Sequence, residues 1–124
     1  MAELWFLYLA LAFIWTHELD ALDRHEWRVM PVLRTLPDAL AKRIFLWMHV
    51  PLMALSAWLI AAGPGSVGAG ILAGLCILHV GLHRLFRNHP AYEFQGLESR
   101  LLILGAGLFG ALYWLTQLVG RTNS

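Results

Sequence analysis

Apolar positions gather into four runs along this chain, separated by connections that carry charge, proline or glycine. The first run, at about 4–22, is apolar as far as Trp15 and turns polar within "FIWTHELDALDRHEWR". The second, about 39–62, contains "IFLWMHVPLMALSAWLIAA"; the third, about 67–86, is "VGAGILAGLCILHVGLHRLF"; the fourth, about 97–119, contains "LLILGAGLFGALYWLTQLV". Each has the roughly 17–25 residues that a helix needs to cross hydrocarbon, once the first is allowed its polar end. Backbone in lipid must satisfy its own hydrogen bonds, so the runs predict helices. The expected fold is all-α: an integral membrane four-helix bundle, antiparallel and up-down, in one domain over 1–124. Asp38, just after Pro37, reads as the N-cap of the second helix. Pairs of small residues at four-residue intervals, Gly70 and Gly74, Ala106 and Gly110, Gly107 and Ala111, suit close helix approach.

Composition agrees with that pattern. Hydrophobic residues make up 59% and charged residues 14%, against roughly 45–50% and 25% in soluble domains. The net charge of +1, with no basic run, points away from nucleic acid. Cys76 is the single cysteine, which excludes an internal disulfide and a multi-cysteine zinc motif. The start of the chain has no basic stretch and no small-residue cleavage site, so the first run reads as a retained helix. Arg24, Arg28, Arg34, Lys42 and Arg43 lie in or beside the first connection, and Arg84, Arg87 and Arg100 around the third; Arg121 stands alone on the other side. The positive-inside rule then puts both charged connections in the cytoplasm and both termini on the non-cytoplasmic side. The expected location is a bacterial inner (cytoplasmic) membrane, with the lipid bilayer as partner; a homo-oligomer or a larger membrane complex stays open. Trp15, Trp27 and Trp47 read as interfacial anchors at the charged end, and Trp5, Trp58 and Trp114 at the other.

Ionisable residues at membrane depth are costly, so their placement is informative. Counting from the connections, His17 and His49 each lie 16 residues from position 33; His49 lies 16 before position 65, and His79 and His83 lie 14 and 18 after it. At about 1.5 Å of rise per residue these positions share one level to within about a turn. Glu98 opens the fourth helix near the same level. His17 and Asp20 share a face of the first helix, as do His79 and His83 in the third. Helical bundles build metal sites from inward side chains in this way. The candidate ligands are therefore His17, Asp20, His49, His79 and His83, with Glu18 or Glu98 as candidate general base. A set of imidazole and carboxylate without thiolate suits zinc or iron. His25, His89, Glu26 and Glu93 fall in connections and are expected to be solvated or to face headgroups, with service as outer ligands the lesser alternative.

"HELDA", a histidine in the second helix and "HVGLH" in the third resemble the small bacterial four-helix membrane domains named for an HxxEE motif, and their uncharacterised relatives. The resemblance would cover most of the chain and implies a multi-helix membrane domain with His- and Glu-rich motifs and no assigned activity. By position it carries over His17, Asp20, His79 and His83; Ala21 stands where the motif has its second glutamate.

The expected function is a small membrane protein of unassigned activity, with a His/acid cluster near the cytoplasmic face that binds a metal. Whether it is an enzyme stays open. The alternatives are a proton-handling or accessory subunit without metal, a b-type haem bundle with His49 and His79 or His83 as axial ligands, or a polar layer satisfied purely by helix-to-helix hydrogen bonds.

Overall fold

A computed structural model describes residues 1–122. Four long helices carry the chain: α1 Ala2–Asp23, α2 Asp38–Ile60, α3 Val67–Phe86 and α4 Leu97–Thr122. α2, α3 and α4 are each long and apolar enough to cross a membrane. α1 is of similar length, about 33 Å at 1.5 Å per residue, but carries Glu3, Glu18, Asp20 and Asp23. Helices this apolar, with leucines, isoleucines and tryptophans exposed along their outer faces, fit a membrane protein.

Three layers of core fix the order of the elements. Leu7, Ala69, Ala73 and Tyr113 pack together at one end, joining the starts of α1 and α3 to the end of α4. Ala21, Phe45, Phe94 and Ile103 pack at the other end, joining the end of α1 to the starts of α2 and α4. The chain therefore runs up and down. α4 is the central helix and packs most extensively on α1 and α3, whereas α2 lies at the periphery with few buried residues.

Small side chains make the α3–α4 seam. A Cβ at Gly110 would sit 2.6 Å from the Ala73 carbonyl oxygen, so only glycine lets the two backbones come this close. Ala106 and Gly107 share that buried face, while Ala111 is exposed. The turn between α2 and α3 uses Gly63 and Gly65 at φ of 81° and 83°, where L residues are strained. Ser66 then caps α3 by accepting from the Ala69 N–H at 3.1 Å. The Gly65 N–H donates to the Tyr113 hydroxyl at 2.9 Å, which ties this turn to α4.

The first connection is ordered, not a loose linker. Two short 3-10 turns, Glu26–Arg28 and Leu33–Thr35, close that end of the bundle. Trp27, read above as an interfacial anchor, is instead buried at 1% exposure against Phe45 and donates its indole N–H to Asp38 at 2.9 Å. Asp38 is not a side-chain N-cap: it is the first residue of α2, and its carboxylate accepts from Trp27 and from Arg28, at 2.8 and 3.1 Å. The bidentate Arg28 pair wins because its fork matches both oxygens.

Two substitutions probe this packing. Gly110→Leu should cost about 1–3 kcal/mol through overpacking of the α3–α4 seam. Tyr113→Phe should cost about 1 kcal/mol through one lost hydrogen bond. Thermal unfolding in detergent measures both, and a Gly110→Leu protein that melts like the wild type would refute the close seam.

Candidate metal centre

Near the connection end, three imidazoles meet. His17 comes from the polar last third of α1 and is fully buried. His79 and His83, one turn apart on α3, face it, with ring centroids 4.6 and 4.8 Å from that of His17 and 4.6 Å from each other. One ligand nitrogen from each ring lies within 4.8 Å of the other two. Phe94, from the connection between α3 and α4, packs its ring on His17 and His83 and closes the site on that side.

A fourth group arrives from the first connection. His25, at φ 54°, takes the left-handed conformation that reverses the chain after α1. That turn points Glu26 back under the bundle, where Oε2 stands 3.5 Å from His17 Nε2 and Oε1 stands 4.0 Å from His83 Nε2. Among the described residues, the buried side-chain nitrogens and oxygens without a hydrogen-bond partner are His17 Nδ1 and Nε2, His79 Nε2 and Glu26 Oε2. All belong to this one site. An unpaired buried polar group costs roughly 1–3 kcal/mol, and native folds rarely leave several together.

The periphery of the site orients its rings. The His83 Nε2 is turned toward Glu26, and its Nδ1 is hydrogen-bonded with the Tyr92 hydroxyl at 3.2 Å. Burial and the nearby Glu26 carboxylate push the Tyr92 phenol up, partly offset by Arg100, so the hydroxyl stays neutral.

The other residues singled out from sequence fall elsewhere. Asp20 faces α4, accepting from the Ser99 hydroxyl at 2.6 Å and from Arg24 at 3.2 Å, so it bolts α1 to α4. His49 does not join the three rings: its Nδ1–H donates to the Phe45 carbonyl, and its Nε2 lies 2.7 Å from Glu18 Oε2. Both ring nitrogens thus face acceptors, and one proton is shared between Nε2 and the Glu18 carboxylate. Glu18, His49 and His79 line a common cavity of about 260 Å³, walled mostly by apolar side chains such as Leu52, Leu75 and Leu78. Glu98 is exposed on the first turn of α4 and is not one of the clustered ligand groups.

From sequence, Glu26 is a connection residue expected to be solvated, with outer ligation only the lesser alternative. Its neighbours gave a hint, because Trp27, Val29 and Leu33 are apolar and all buried. The spacing of 27, 29 and 33 fits neither a helix nor a strand, so the inward turn of Glu26 had no periodic signature.

Comparison with known families finds a match over residues 3–120, to a family of unknown function, DUF6713. The chain belongs to that family. The DUF6713 match covers all four helices and every member of the cluster, and it agrees with the uncharacterised side of the resemblance drawn from "HELDA" and "HVGLH". No curated protein and no solved structure matches the chain.

The geometry separates the Glu18–His49 pair from the three rings. Glu18→Ala should destabilise the fold by about 1–3 kcal/mol, because half-buried His49 loses its Nε2 partner. It should leave the ligand capacity of His17, His79 and His83 unchanged. Melting curves and metal titrations on one preparation test both; a Glu18→Ala protein as metal-deficient as His17→Ala would place Glu18 inside the centre.

Proposed function

We propose that this chain is a multi-pass protein of a bacterial inner membrane whose His17, His79 and His83, with Glu26 as fourth donor, hold a zinc or iron ion. The observation that carries the reading is the convergence of buried, unpartnered ligand atoms from α1, α3 and the first connection. Without a cation, lone pairs of neutral rings face one another, or protonated rings repel; a divalent ion satisfies them all at once. Three imidazoles and a carboxylate, with no thiolate, suit zinc or iron, and the Tyr92 hydroxyl supplies the outer hydrogen bond that fixes a ligating histidine. Bound there, such an ion would supply Lewis-acid activation of a water or a substrate oxygen.

The chain's own contribution to chemistry would be the Glu18–His49 pair. It holds a transferable proton at 2.7 Å on the wall of the cavity that also reaches His79. Haem is disfavoured by geometry. The three cluster nitrogens lie too close together for a macrocycle to fit between them, and both nitrogens of His49 are engaged. The basic residues of the first and third connections support cytoplasmic placement of the cluster end, with both termini on the opposite side.

Metal analysis and an absorption spectrum of the detergent-purified protein test the centre. About one equivalent of zinc or iron is expected, as for a closed structural or catalytic site. It should be lost in His17→Ala and His79→Ala and weakened in Glu26→Gln. A protein that stays metal-free after incubation with both ions sinks the proposal, and a Soret band would replace it with haem. Orientation has its own test: in a Cys76→Ala background, an impermeant thiol reagent on whole cells should label Thr122→Cys and spare Asn88→Cys. The reverse pattern would invert the topology.

A further inference from the structure

The arginines of this chain differ in whether a carboxylate faces them. In and beside the first connection, Arg24 pairs with Asp20 and Arg28 with Asp38. Around the third, Arg84 and Arg87 at the end of α3 and Arg100 in the first turns of α4 have no carboxylate within ion-pair distance among the described residues. All three line one cavity of about 520 Å³, together with the neutral donors Asn88, Gln95 and Tyr92. No aspartate or glutamate lines it. Three unneutralised guanidiniums around one concavity, backed by amide and phenol donors, make a receptor for a phosphate group.

What lies beneath the arginines narrows the source of that phosphate. Val80 and Leu104 form the apolar floor of the basic cavity, and the same two residues line a second cavity of about 780 Å³. This second cavity is a groove between α3 and α4 with wholly apolar walls, including Ile77, Leu101 and Leu108. Gly81 leaves it open: a Cβ there would meet nothing within 4 Å. A basic cup at the connection end thus borders, through Val80 and Leu104, an apolar trough along two helices that are each long and apolar enough to span a membrane. A free phosphate would use the cup alone. A phospholipid would use both.

We propose that Arg84, Arg87 and Arg100 bind the phosphate of an anionic phospholipid whose acyl chain lies in the Gly81 groove between α3 and α4. Charge complementarity favours an anionic over a zwitterionic headgroup. It also disfavours a second copy of this face, which would bring three arginines against three arginines. The cup shares His83 on its wall with the His17–His79–His83 centre, but the proposal does not rest on metal binding.

The test is native mass spectrometry of the full-length protein, released from detergent after incubation with dioleoyl phosphatidylglycerol, dioleoyl phosphatidylcholine or inorganic phosphate. About one phosphatidylglycerol should be retained per chain, in at least about tenfold preference to phosphatidylcholine. Arg84→Gln, Arg87→Gln and Arg100→Gln combined should bring the two lipids to equal retention, and Gly81→Leu should reduce phosphatidylglycerol retention without touching the arginines. Metal content of each variant, unchanged from wild type, checks that the fold and the other site persist. Equal retention of both lipids by the wild-type protein overturns the proposal with no variant needed. Full displacement of the lipid by millimolar phosphate would assign the cup to a free anion and overturn the lipid reading. A dimer that Gly81→Leu dissociates, with lipid retention unchanged, would assign the groove to a second copy and overturn it equally.

Discussion

A polar group sealed inside an apolar helix bundle must find a partner there, and this requirement organises the connection end of the molecule. Apolar surroundings offer no hydrogen bonds, and an unmet buried group costs more than a well-made hydrogen bond contributes. Asp20 meets the requirement with Ser99 and Arg24, and His49 meets it with Glu18 and the Phe45 carbonyl. His17, His79 and Glu26 do not meet it among themselves. The same rule that binds the helices together elsewhere therefore singles out the three rings and Glu26 as the place where buried polar atoms lack partners.

The rest of the fold serves to hold that place. The glycine seam brings α4 hard against α3 and leaves α1 to cover the remaining face, so His17 is pressed onto the His79–His83 pair. The buried Trp27, tied to Asp38 and packed on Phe45, anchors the first connection beneath the bundle. Glu26 precedes it directly and is held in place by that anchor. The carboxylate is thus positioned by an aromatic residue that never touches the histidines.

The outer face follows a different logic. Beside α3 and α4, Arg84, Arg87 and Arg100 line a concavity that shares Val80 and Leu104 with an apolar trough, whereas Arg24 and Arg28 are paired with Asp20 and Asp38. Two kinds of polarity thus share one end of the molecule: a buried cluster of imidazoles with Glu26, and an exposed cluster of guanidiniums. His83 lies between them, facing the cluster and also lining the basic cup.

Helix number, helix type and the level of the histidines were legible in the sequence, because apolar run length and rise per residue depend only on chain position. The same counting placed His17, His79 and His83 at one depth. It could not say which way each side chain turns about its helix axis, since that is set by which neighbours a helix packs against. Asp20 and His49 share the depth of the cluster, yet the first turns to α4 and the second is held by Glu18. Glu98, on a helix start with no cover, is exposed. Glu26 was the reverse case, a connection residue by sequence that only a left-handed turn at His25 and the burial of Trp27 carry inward. Depth is a one-dimensional property and belonged to the sequence; azimuth and the path of an irregular connection arise from contacts between distant segments, and those the tertiary structure alone decided.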